Sequence, residues 1–115
     1  MALYSELPVY KSTYHLLQTL VGMSSAWQRD YRYTLGQEVK KELMDVLVLI
    51  YRANALKNKT ETITEARECM ERVKIHVRLL CDFRQIGKDR YATMADEMGS
   101  ISKQLAKWQA THKEE

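Results

Sequence analysis

Hydrophobic positions recur at helical spacing in four stretches of this chain, separated by short polar runs. In the first, opening near Pro8, the positions Val9, Thr13, Leu16, Leu17, Leu20, Met23 and Trp27 share one face at about 100° per residue. Lys11, His15, Gln18 and Ser25 take the other face. Pro8 suits the start of a helix, where its missing N–H has no partner in any case. The pattern predicts helices over residues 8–27, 30–56, 62–84 and 89–110. Asp30 is placed to cap the second. Thr62 and Glu65 form the Thr-x-x-Glu pattern of a capping box for the third. Gly87 fits a C-cap after it, and Asp89 fits a cap for the fourth. Lys57–Thr60 reads as a polar loop, and the tail after Ala110 is expected to fray.

Each later stretch has its own stripe. In the second helix it is Leu35, Val39, Leu43, Val46, Leu47, Ile50 and Ala53, and in the third Ile63, Ala66, Met70, Val73, Val77, Leu80 and Cys81. The fourth runs Tyr91, Met94, Met98, Ile101, Leu105 and Trp108, with Lys103 and Lys107 on the far side. Short connections make neighbouring helices antiparallel, so the expected fold is all-α: one up-down-up-down four-helix bundle spanning residues 1–115. A single Pro and four Gly leave too little turn chemistry for a β-sandwich. A chain of 115 residues is one domain and long enough for a core without metal or disulfide staples.

Two helices hold more apolar residues than one stripe needs. Met44, Val48, Tyr51 and Ala55 lie about a third of a turn from the core stripe of the second helix. Glu38, Asp45 and Arg52 leave it only a narrow polar strip. Ile75 and Leu79 face nearly away from the stripe of the third. Scattered exposed apolar residues are ordinary, but these line up at helical spacing. Met44, Val48, Tyr51, Ile75 and Leu79 are therefore the expected interface with a second copy or a partner.

The net charge of +3 is mild, and its placement says more than its size. Between Arg67 and Arg90 seven bases face four acids, while the rest of the chain cancels to zero. Arg67, Lys74 and Arg78 fall on one line of the third helix, interrupted by Glu71, and Arg84, Lys88 and Arg90 cluster around the following turn. These six are the candidates for contact with a nucleic acid or a polymerase; the alternative is a solvated face. Tyr10, Tyr14, Tyr31 and Tyr33 either stack on nucleobases or close the ends of the core with their hydroxyls in water.

No catalytic set declares itself. The chain has no Gly-rich phosphate loop, no His-Glu-x-x-His, no Cys-x-x-Cys and no Glu-x-x-His of a di-metal bundle. The expectation is no enzyme, no cofactor and no metal. His76 with Cys69 and Cys81 makes a poor soft-metal set, because on one helix their directions diverge, and it reads better as two thiols and a surface imidazole. The two cysteines lie about 18 Å apart along a helix and cannot bridge each other. Unpaired thiols and the absence of a leader pattern in Met1–Tyr10 lead to a cytoplasmic expectation. The longest strongly apolar run, Val46–Tyr51, falls far short of the ~20 residues of a membrane span.

Several short motifs then fall in order. They are Tyr10-Lys11-x-x-Tyr14-x-x-Leu17, Arg32-Tyr33-x-Leu35-Gly36, Ala53-Asn54, Val77-Arg78-Leu79-Leu80 with Tyr91, and Met98-Gly99 with Trp108. As a set they resemble the Avd-like four-helix-bundle family, the accessory proteins of diversity-generating retroelements, over nearly the whole chain. The sister group encoded within ribosomal-RNA intervening sequences is similar in fold, and a general RNA-binding bundle of that type is the alternative. Its members typically carry an Ile-Pro-x-Asn-Ile-x-Glu-Gly-like stretch in the second helix, where this chain has Val46-Leu47-Val48-Leu49-Ile50-Tyr51. The resemblance implies a homopentameric ring with a basic surface. It also implies association with a reverse transcriptase and with RNA or DNA, in support of mutagenic cDNA synthesis and retrohoming.

Overall fold

The computed structural model describes residues 2–112. Four long helices carry the fold: α1 (Pro8–Ser24), α3 (Leu35–Ala55), α4 (Thr60–Asp82) and α5 (Lys88–Thr111). A four-residue helix, α2 (Arg29–Arg32), lies between the first two, and a 3-10 turn, Tyr4–Glu6, precedes α1. The architecture is the all-α four-helix bundle that the hydrophobic spacing predicts. Each long helix buries one stripe, and Leu16, Leu20, Leu43, Ile50, Met70, Leu80, Met94 and Ile101 are fully enclosed.

Side-chain pairings fix the order around the bundle. Glu42, early in α3, meets Arg72 and His76, late in α4. Gln109, near the end of α5, bonds to Thr60 O, Thr64 Oγ1 and Arg67 at the start of α4. Ser12 and His15 of α1 meet Gln104 and Glu97 of α5, and Tyr10 and Leu17 of α1 share a groove with Leu47 and Tyr51 of α3. Each pairing sets one helix antiparallel to its neighbour. The α1–α3 and α4–α5 connections therefore come together at one pole, and the α3–α4 connection lies at the other.

Several boundaries differ from the sequence expectations. Residues 25–27 leave the helix in a turn, with Trp27 N–H on Ser24 O at 3.1 Å, yet Trp27 stays buried by folding under the pole. The second helix does not run unbroken from Asp30. Thr34 departs from helical geometry at φ −123° and ψ −94°, and its hydroxyl donates back to Asp30 O at 2.6 Å. Gln28, not Asp30, precedes α2. The break brings the Trp27 ring against Gly36, where an added Cβ would stand 2.9 Å from a ring carbon.

No capping box forms at Thr62. The helix begins two residues earlier, at Thr60, which leaves Thr62 buried inside α4. Lys59, expected in a polar loop, is buried as well. Its ammonium donates to the carbonyls of Ala53, Asn54 and Leu56, so it closes the end of α3 together with the Leu56 N–H, which also reaches Ala53 O. The end of α4 differs in a similar way. Arg84, not Gly87, takes the left-handed position, at φ 62°, while Gln85 N–H and Ile86 N–H both return to Leu80 O. Gly87 instead precedes α5, which places Asp89 within the first turn and not at the cap. A left-handed arginine costs about 1–2 kcal/mol that glycine would not incur.

Candidate functional site

The surplus apolar residues of α3 are in water. Met44 is 52%, Val48 46% and Tyr51 54% exposed, and together with Leu47 they form one wall of a groove of about 290 Å³. The opposite wall is α1, with Tyr10, Tyr14 and Leu17, and Tyr4 closes one end. The rings pack in sequence: Tyr4 lies edge-on to Tyr51 at 4.9 Å and to Tyr10 at 5.3 Å, and Tyr10 stacks with Tyr14 at 6.2 Å. Tyr10 and Tyr14 therefore both line this groove; Tyr10, like Tyr31, also packs against the core as a closing ring does, while Tyr14 is exposed. Tyr4 lies before the first periodic stretch and carried no signal of its own. Ile75, 59% exposed, and Leu79, half-buried, lie on α4 outside this groove, so the five expected interface residues form two patches.

The basic residues divide as well. Along α4, Arg67 donates to Gln109, Lys74 pairs with Glu71 at 2.8 Å, and Arg78 pairs with Asp82 at 3.3 Å. The hydrogen bond to Asp82, with Tyr91 nearby, holds the Arg78 guanidinium above its usual pKa. Arg84, Lys88 and Arg90 are exposed and make no ion pair among the described residues.

Those three stand at the pole where two connections meet. Gln85 Oε1 accepts the Gln28 N–H at 2.8 Å, and Phe83 stacks on Tyr31 at 5.2 Å, which fastens the α4–α5 connection to the α1–α3 connection. The second connection brings Arg29 and Arg32, whose guanidinium groups lie 5.9 and 5.8 Å from the centre of the Tyr33 ring. Arg32 is also anchored to Ser25 O and Trp27 O. Residues 28–34 and 83–90 together hold five basic side chains against two acidic ones, a surplus equal to the net charge of the whole protein. Arg29, Arg32 and Phe83 were not among the expected site residues, because only the packing of two connections distant in sequence brings them to one pole.

A buried polar cluster joins α3 to α4. The Glu42 carboxylate is 9% exposed, with Arg72 Nε at 3.0 Å from Oε2 and His76 Nδ1 at 2.7 Å from Oε1. His76 Nδ1 also lies 3.0 Å from Arg72 O. Two acceptors flank this nitrogen, so it carries the hydrogen. That hydrogen is aligned on the carbonyl, which leaves Oε1 without a well-aligned donor. His76 is thus no surface imidazole: only 20% of its side chain is exposed. The buried Cys69 thiol donates to Glu42 O at 3.2 Å, and burial raises its pKa. Glu42 was missed at the level of sequence, although one signal was there to find: it shares its face of α3 with Val39, Val46 and Leu49.

Both cysteines are free thiols, and no group of three or more His, Cys, Asp or Glu side chains converges on a metal position among the described residues. Among the described residues no helix is long and apolar enough to cross a membrane. Comparison with protein-family models, with curated proteins and with solved structures finds no match to this chain.

Proposed function

We propose that the chain is a non-enzymatic accessory subunit of a diversity-generating retroelement. Copies of it assemble in the cytoplasm into a ring, a pentamer on the Avd-like resemblance. The ring binds the reverse transcriptase and its template RNA, and so supports mutagenic cDNA synthesis and retrohoming. The observation that carries this reading is the tyrosine-lined groove between α1 and α3. A contiguous apolar surface left in water by a bundle whose core is already complete is the mark of a further partner.

In this reading Met44, Val48 and Tyr51 meet the neighbouring subunit, and Ile75 with Leu79 forms the second contact patch. The basic residues Arg67, Lys74, Arg78, Arg84, Lys88 and Arg90 face RNA or the polymerase. A ring repeats their modest charge around its circumference, which strengthens counterion release on binding. A closed ring needs two different faces on each subunit, and the two separate apolar patches fit that need.

The test is the state of assembly and what travels with it. The purified chain at micromolar concentration is expected to scatter light as a single multi-subunit species. Val48→Glu with Tyr51→Glu is expected to reduce it to monomers of unchanged helical content. Co-expressed with the reverse transcriptase of a neighbouring gene, the wild-type chain is expected to copurify with it. A wild-type chain that is a stable monomer sinks the ring, and failure to retain the polymerase sinks the accessory role.

A further inference from the structure

We infer that the pole built from the two fastened connections is a binding site for single-stranded nucleic acid, which holds phosphates on Arg84, Lys88 and Arg90 and stacks an unpaired base on Tyr33 or Phe83. The inference rests on the RNA-binding part of the proposed function and deepens it, because it moves the contact away from the α4 stripe and adds residues outside that stripe.

Three independent observations converge on this pole. The first is the backbone at Arg84. Its φ of 62° is one that glycine adopts without steric cost, and Gly87 stands only three residues away. An arginine kept at a strained position is a functional signal when nothing in the fold uses its side chain, and the Arg84 guanidinium has no partner among the described residues. The second is charge: the pole carries a surplus equal to the chain's net charge, and Arg84, Lys88 and Arg90 make no ion pair among the described residues, whereas Arg67, Lys74 and Arg78 are committed to neighbours on their own bundle.

The third observation concerns the rings. Tyr33 is 54% and Phe83 47% exposed, although each sits beside cations or another ring. Exposed aromatic faces and exposed cations are the two components that grip a single strand: the cations follow the backbone and the rings stack bases of any sequence. A duplex offers the same phosphates but no free base face. Stacking therefore makes the site selective for unpaired nucleotides, and the fastening bond from Gln28 N–H to Gln85 keeps both components in register.

The test uses the full chain in its native assembly with fluorescent oligonucleotides: single-stranded RNA, single-stranded DNA of the same sequence, and the matching duplex. Wild type is expected to prefer both single strands over the duplex. Tyr33→Ala is expected to weaken single-strand binding roughly ten- to a hundredfold. Arg84→Gly is expected to raise the melting temperature while weakening binding, and to lower the slope of log affinity against log salt by about 0.7. Lys103→Ser with Lys107→Ser, which removes more charge from exposed positions on α5, is expected to leave binding unchanged. If wild type binds no oligonucleotide, the RNA-binding reading fails together with this site. If wild type binds but only Arg67→Glu with Lys74→Glu weakens it, that reading stands and the pole is overturned. Equal affinity for duplex and single strand overturns the stacking role.

Discussion

Glu42 of α3 and Arg72 of α4 form an ion pair of unequal burial. The carboxylate is 9% exposed and the guanidinium 57%, with 3.0 Å between Oε2 and Nε. The buried partner therefore depends on the pair far more than the exposed one does. A buried acceptor left unpaired bears its full desolvation cost, while a solvated arginine is rehydrated. We expect Arg72→Ala, which strands the buried carboxylate, to lower stability by about 1–3 kcal/mol and Glu42→Ala by no more than about 1 kcal/mol. Denaturant melts of both single variants and the double variant give the coupling, and strictly additive losses would show that the pair contributes nothing of its own.

One chemical change has opposite signs at two glycines. Gly99 lies inside α5 with open space where a Cβ would sit, so Gly99→Ala is expected to stabilise by about 0.5–1 kcal/mol through helix propensity. At Gly36 the new Cβ meets the Trp27 ring at 2.9 Å and the Tyr31 carbonyl oxygen at 3.1 Å. Gly36→Ala is accordingly expected to cost about 1–3 kcal/mol. Thermal melts of the two variants decide it, and two shifts of the same sign would mean that Trp27 can move aside.

Burial holds the Cys69 thiol in its neutral form and raises its pKa above the unfolded value of about 8.5. A raised folded pKa contributes stability that is complete below the unfolded value and is lost as pH rises through the folded one. Stability of the wild type relative to Cys69→Ala is therefore expected to be level at neutral pH and to decline above about pH 9. In the native protein Cys81, half-buried, should react with a thiol reagent before Cys69 does. A stability difference that is flat to pH 10.5, or equal reactivity of the two thiols, would contradict this.

Lys59 has its ammonium enclosed by three carbonyls at the end of α3. Lys59→Met keeps the stem and removes the donors, which takes the ammonium away from the Asn54 and Leu56 carbonyls and leaves the Ala53 carbonyl only its bond from Leu56 N–H. A loss of about 1–3 kcal/mol is expected, with hydrogen exchange rising first at residues 53–60. Unchanged protection there would assign Lys59 no role beyond packing.

Periodicity made the four long helices and most of the core legible, because burial repeats with the turn of the helix and Val39, Leu43, Val46 and Ile50 recur with it. The ends were not legible. A cap depends on which carbonyls remain unpaired in three dimensions, so Lys59 and Arg84 took places that local pattern assigned to Thr62 and Gly87. The exposed apolar set of α3 was visible as a surplus, yet its second wall was not, since neither reading of Tyr10 and Tyr14, as core-closing rings or as base-stacking residues, set them opposite α3. Likewise Arg84, Lys88 and Arg90 were marked by charge. Their union with Arg29, Arg32 and Tyr33 needed the contact between Gln28 and Gln85, which are 57 residues apart.

The α3–α4 hairpin, joined by four residues and closed by Lys59, has the largest helix–helix interface of the bundle and the shortest loop to close within it. The α1–α5 contact, by contrast, brings together Ser12 and Gln104, separated by 92 residues. Local contacts favour fast folding, and the hairpin supplies them. The tyrosine groove instead needs α1 docked on α3, so neither helix alone carries it, and only a chain in which both have packed presents the complete surface proposed for contact between copies.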